Sequence, residues 1–229
     1  ATVAPGGIRC RLNRAWGLQN VAGGAGIIIP MLEQRIEQQF IDSADLKYQV
    51  AQILSQPIAA AVQALLACVT NGAKVLACGN GGCAALAQYF ATSFVGRFER
   101  ERPELAALAL AADSTMLGAE PNEQSMASLF ARQVRALGSS GDVLLALSVS
   151  GNCANLQQAI DAAHEREMVV VGLSGRGGGQ MAQLLRDTDI HVSVPHERSA
   201  RILEIQMLAL HCMCDAVDAQ LLGEQEETT

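Results

Sequence analysis

The sequence predicts an α/β protein: a parallel sheet of five strands with helices on both faces. Three observations lead there. Short apolar runs at residues 74–78, 106–110, 143–147, 168–173 and 190–194 alternate with segments whose apolar residues recur at helical spacing. The runs are largely unbroken, as expected of strands covered on both faces. Two of them end in turns rich in glycine and serine, residues 79–82 and 148–151, and each turn opens a helix. Ligands of parallel sheets lie beyond such strand ends, so the two turns are candidate walls of one pocket.

The elements follow in order. Residues 1–30 are glycine-rich and unpatterned, and are expected to be a disordered extension ahead of a domain at 31–222; residues 223–229 are an acidic tail. From Met31 a stripe of Leu32, Ile36, Phe40 and Ile41 predicts one helix, with Leu46, Val50 and Ile53 continuing it. Pro57 is placed to open a second helix, with Val62, Leu65, Leu66 and Val69 on one side and Asn71-Gly72 as its stop. Two helices before the first strand exceed what one sheet face needs, which points to contact with another subunit. Helices are predicted at 83–95, 126–137, 154–164 and 198–222, and a short one ends at Leu185. A loop at 113–125 contains Pro121, and the charged run at 99–102 reads as a solvated loop.

Composition narrows the function. Half of the 229 residues are hydrophobic but only 3% are aromatic, so the core is aliphatic. The net charge is −7, and the three arginines of residues 1–30 leave −10 on the rest. That argues against direct nucleic-acid binding, which needs a basic face. Seven cysteines without regular spacing suit reduced thiols and a cytoplasmic setting. Cys212 and Cys214 lie two apart on a helix and do not face each other, so they read as buried thiols and not as metal ligands. No uninterrupted apolar run reaches the ~18 residues of a membrane span. The stretch 21–29, with Arg9 to Arg14 before it, faintly resembles a secretory leader, but it is broken by Gly23, Gly24 and Gly26 and no clean cleavage site follows, so a leader is not expected.

The chemistry concentrates at Ser148, Val149, Ser150, Gly151 and Asn152. A helix N-terminus leaves backbone N–H groups unpaired and its dipole favours an anion. Ser148 and Ser150 add hydroxyl donors, and Gly151 lets the backbone come close. The same residues also fit an ordinary strand-to-helix turn with Asn152 as a cap.

Several separated motifs resemble sugar isomerase (SIS) domains: Cys78-Gly79-Asn80-Gly81-Gly82; Gly96-Arg97-Phe98 with its charged run ending in Pro103; Gly141-Asp142-Val143; Ser148-Val149-Ser150-Gly151-Asn152; and Arg201-Ile202-Leu203-Glu204. Within that family the chain is similar to the branch that holds phosphoheptose isomerase and the DnaA initiator-associating protein. The resemblance implies a three-layer αβα sandwich (the SIS fold), a homotetramer, and a phosphosugar site at Asn80, Gly81, Gly82, Cys83, Asp113, Ser148, Val149, Ser150 and Cys153. It also implies a weakened phosphate grip. Family hydroxyls fall on Cys83, Val149 and Cys153, and a thiol is a weak donor.

Catalytic positions separate the two members of the branch. A family His falls on Tyr89, the basic Glu on Ser93 and a metal-side Gln on Leu203, whereas the catalytic His is retained as His211. Glu204, two turns before His211, is the candidate substitute base. On this count the expected function is a non-catalytic, phosphosugar-binding scaffold that partners a replication initiator protein, with no cofactor. The alternatives are a sedoheptulose 7-phosphate isomerase, for which the resemblance implies zinc, and a phosphosugar-sensing regulatory domain. Arg97 and Glu204 are expected in a buried pair between subunits.

Overall fold

The computed structural model describes residues 25–111 and 123–223. Its elements are α1 (Ala25–Thr70), β1 (Val75–Gly79), α2 (Gly82–Val95), β2 (Ala107–Ala109), α3 (Glu123–Leu137), β3 (Val143–Leu147), α4 (Ala154–Glu165), β4 (Val169–Gly175), a 3-10 turn (Arg176–Gly178), α5 (Gly179–Leu184), β5 (Ile190–Val194) and α6 (Ser199–Leu222). Two compact units divide between Ala44 and Asp45. The described part of the first is helix alone, and the second contains the whole sheet.

The sheet is parallel throughout, in the order β2-β1-β3-β4-β5. Alternate strand residues go to opposite faces, as the pleat requires. Val75, Ala77, Val143, Leu145, Leu147, Val171 and Leu173 pack with α1, α2 and α6. Leu76, Cys78, Leu144, Ala146 and Val170 pack with α3, α4 and α5. The result is the expected three-layer αβα sandwich.

Strand order fixes where a ligand can sit. From β1 the chain crosses to β2 on one side and then returns to β3 on the other, so the order reverses between β1 and β3. The helices after these two strands part there and leave a crevice. The strand ends are level, Gly79 opposite Leu147. They are pinned from the far end by Asp142. Its carboxylate accepts the Lys74 N–H at 2.9 Å and the Ser139 N–H at 2.8 Å, and pairs with the Lys74 ammonium at 2.6 Å.

Four expectations change. The two N-terminal helices are one, α1, which runs through Pro57 and begins at Ala25, ahead of Met31. Proline forfeits only the bond to the Ile53 carbonyl, and Ile53 lies on the exposed side of the helix. A continuous α1 also alters the membrane reading. Between Met31 and Thr70 it is long and apolar enough to cross a bilayer. Glutamines and Pro57 interrupt the letters but not the helix. Leu54, Ala61, Val62, Leu65 and Cys68 are spent on the core of the αβα body. Finally, the charged run is not wholly solvated. Arg102 is buried, donating to the carbonyls of Ser93 (2.7 Å) and Phe94 (2.8 Å) and pairing with buried Asp218 at 2.6 Å. An arginine can close the end of α2 in this way because its planar fork reaches three acceptors at once. Of the two late cysteines, Cys214 is buried and Cys212 is exposed.

Candidate functional site

The first wall is the turn from β1 into α2. Gly81 has φ +55°, a backbone conformation side chains resist, and no side chain caps the helix it precedes. Gly82 is kept small by Leu203 of α6, whose Cδ1 would lie 2.9 Å from an added Cβ. Asn80 exchanges two hydrogen bonds with Asn155 of α4, both 2.9 Å, which ties this wall to the second one.

The second wall is the turn from β3 into α4, again without a side-chain cap. The Ser148 hydroxyl accepts the Gly151 N–H at 2.9 Å, and the Ser150 hydroxyl accepts the Asn152 N–H at 3.4 Å. Each hydroxyl used as an acceptor keeps its own proton to donate. Outside the turn, the Met181 N–H donates to the Gly151 carbonyl at 2.9 Å, and the Gln180 N–H donates to Asn152 Oδ1 at 3.0 Å. Gly151 has φ +70°, and an added Cβ would lie 1.8 Å from the Gly178 carbonyl oxygen. The turn is therefore braced from behind by the start of α5.

The other expected site residues fall into place unevenly. The Cys83 side chain is buried, and its thiol points at Gln206 Oε1, 3.6 Å away. Burial pushes that thiol up to about 11, with the Cys153 thiol adding to the shift, so it stays protonated at neutral pH. Cys153 Sγ lies 3.9 Å from Ser148 Oγ. Val149 packs its side chain on the core and leaves only backbone for a ligand. Asp113 lies outside the described residues. Gln206, a polar group on the helix of His211 that is not among the expected site residues, is fully buried and donates to the Ser148 carbonyl at 2.8 Å. The signal for it in the sequence is one uncharged amide in an otherwise apolar stretch.

Beside these walls a cavity of about 480 Å³ is lined by Lys47, Leu86, Leu203, Glu204, His211 and neighbouring α6 residues. Leu203 belongs to both places, touching Gly82 and lining the cavity. The His211 ring is held between Tyr89, edge-on at 5.5 Å between centroids, and Phe98 at 5.7 Å. Within the chain, Glu204 pairs with Arg201 in α6, and Arg97 pairs with Glu101 on the surface. Ser93 is buried and donates its hydroxyl to the Tyr89 carbonyl at 3.0 Å, which leaves it no role as a base. The surroundings of His211 do not fit zinc: its ring neighbours are aromatic, and Leu203 offers no donor. Among the described residues no three His, Cys, Asp or Glu side chains gather as a metal site would require.

A family model described as a SIS domain matches residues 39–175. The chain is 60% identical over 198 residues to a phosphoheptose isomerase of Methylibium petroleiphilum, covering 86% of this chain and 99% of that one. It is 52% identical over 189 residues to the phosphoheptose isomerase of Dechloromonas aromatica, covering 82% and 96%. The solved structure of phosphoheptose isomerase GmhA from Neisseria gonorrhoeae matches with a TM-score of 0.77 and 46% identity, covering 82% and 99%. These relatives overturn the expectation of a non-catalytic scaffold that partners a replication initiator. That expectation counted lost side chains at matched positions. The imidazole and carboxylate that remain, His211 and Glu204, line one cavity next to the glycine turn. The chain belongs to the SIS domain family, in its phosphoheptose isomerase branch.

Proposed function

We propose that the chain is a sugar-phosphate isomerase that interconverts the ketose and aldose forms of a heptose 7-phosphate. The observation that carries this reading is the adjacency of two features. A glycine-rich turn and a serine- and glycine-rich turn stand level at the point where strand order reverses, and Leu203, beside Gly82 of the first, also lines a cavity with Glu204 and His211. The first feature suits a phosphate. Ser148 and Ser150 have hydroxyl protons to give, and two helix N-termini without side-chain caps favour an anion. The second suits proton transfer next to a carbonyl.

In this reading His211, fixed by Tyr89 and Phe98, moves the proton between the two carbons. Glu204 starts two turns earlier on α6, about 10.5 Å along the axis, and receives sugar hydroxyls further along the chain of the substrate. The names of the relatives support the substrate class. A homotetramer fits the same reading. A cavity of about 570 Å³ between α1 and α6 is lined by Val50, Leu54, Ile58, Leu208 and other mostly apolar residues, a face that another subunit would cover. The six described cysteines are free thiols, in keeping with a cytoplasmic enzyme.

The test is turnover of sedoheptulose 7-phosphate by the purified protein. His211→Ala is expected to lower kcat by a factor on the order of 10²–10⁴, the usual contribution of a general acid or base. A wild-type protein that binds the sugar phosphate without converting it would overturn the reading.

A further inference from the structure

Moving a carbonyl between neighbouring carbons needs an electrophile as well as a proton carrier. The proton on the carbon beside the carbonyl leaves, its electron pair forms a carbon–carbon double bond, and the carbonyl electrons move onto oxygen. That oxygen must be stabilised until a proton returns to the other carbon and the hydroxyl proton changes oxygens. Nothing is oxidised overall, so no outside reagent is required. A metal can stabilise the oxygen, but the residues around His211 do not fit one.

We propose that the Lys47 ammonium is the electrophile of this isomerase, polarising the substrate oxygen beside His211 in place of a metal. The inference rests on the isomerase reading above and names a group that reading lacks. Lys47 comes from α1 and lines the cavity that holds Glu204 and His211. It also lines the adjoining groove between α1 and α6, and Leu208 is the one α6 residue common to both linings. Leu208 is four residues after Glu204 and three before His211, one turn from each. Lys47 and Leu208 are thus common to both linings, and Leu208 stands between the carboxylate and the imidazole along α6.

Its chemistry suits the task. Among the described residues no ion pair or hydrogen bond engages its ammonium, whereas Lys74 is tied to Asp142. An unengaged ammonium has three protons to offer a developing oxyanion. The rest of the lining is mostly apolar: Leu86, Leu203, Met207 and Leu208. Apolar walls strengthen a charge–oxyanion contact once substrate has displaced water. The cavity volume also falls within the ~300–1,000 Å³ of small-molecule sites.

The experiment compares wild type, Lys47→Met and Lys47→Arg for turnover of sedoheptulose 7-phosphate, before and after dialysis against EDTA. Lys47 is exposed in the single chain but lines the α1–α6 groove as well, so the melting curve and oligomeric state of both variants are checked against wild type. Wild-type turnover should survive EDTA. Lys47→Met should lose kcat by roughly 10²–10³-fold, as when one oxyanion donor is removed, with KM changed far less. Lys47→Arg should keep part of the activity, because guanidinium keeps the charge and N–H donors to offer the oxygen. Wild-type turnover matched by Lys47→Met would overturn the role of Lys47 and leave the isomerase standing. So would turnover abolished by EDTA and restored by zinc. Absence of wild-type turnover would instead remove the isomerase reading, and this inference with it.

Discussion

The side-chain amide of Gln206 donates to the backbone carbonyl of Ser148 across 2.8 Å, in a part of the molecule sealed from water. This bond joins α6, the helix of His211 and Glu204, to the turn proposed to hold the phosphate. Gln206 Oε1 meanwhile receives the Cys83 thiol. One amide thus couples both walls of the crevice to the helix that carries the proposed chemistry.

Replacing Gln206 by Leu keeps much of the volume but leaves the Ser148 carbonyl and the Cys83 thiol without partners. An unsatisfied buried polar group costs about 1–3 kcal/mol. The unfolding free energy from urea titration should fall by that amount, and calorimetry should show weaker binding of sedoheptulose 7-phosphate. Unchanged values for both would mean the bond neither stabilises nor positions the turn.

Gly151→Ala puts a methyl where the Gly178 carbonyl oxygen already stands, at a backbone angle of φ +70°. Both elements are backbone, so neither can swing aside. Loss of at least about 2 kcal/mol is expected, from strain at a special backbone position combined with overpacking, together with loss of phosphate affinity. Gly81→Ala is the control. It shares a positive φ but meets nothing within 4 Å, so it should be milder. Equal melting temperatures for the two variants would contradict this account.

Asp218→Ala removes one partner of a fully buried ion pair and strands the Arg102 guanidinium. Breaking such a pair from one side costs about 3–5 kcal/mol. Arg102 also closes the end of α2, so the loop after α2 should loosen too. Hydrogen exchange at residues 93–105 should rise well above the global change, and uniform exchange would show that Arg102 does not hold this loop.

His191 gives a pH dependence with a definite sign. Burial lowers its tendency to take a proton, and its Nε2 is bonded to the buried Ser174 hydroxyl at 2.7 Å. As pH falls below the ordinary imidazole value of about 6.5, the unfolded chain gains a proton before the folded one does. Stability should therefore decline from there down to the depressed folded value, and the contribution should be flat above it. Stability measured by urea unfolding between pH 7.5 and 5 checks this. His191→Asn should flatten the slope, and an identical slope in that variant would assign the effect elsewhere.

Local chemistry by itself determined a good deal. The strand at 143–147 and the helix that follows it were legible because a five-residue apolar run, a serine–glycine turn and a helical stripe stand next to one another in the chain. The same holds for β1 with its glycine turn, for β5, and for the candidate roles of Ser148 and Ser150. Pro57 misled because proline's cost is local, while the packing of Leu54, Val62 and Leu65 that outweighs it is not. Only tertiary structure decided that β1 and β3 are neighbours at the reversal of strand order, which sets Gly79 level with Leu147. Only it showed that Cys83 faces Gln206, that α5 braces Gly151, and that Lys47 shares a cavity with Glu204 and His211. The physical reason is sequence separation. A residue's backbone preference is set by its immediate neighbours, but the partner of its side chain is set by how the whole sheet orders its strands. Lys47 and His211 stand 164 positions apart, and no periodicity connects positions so distant.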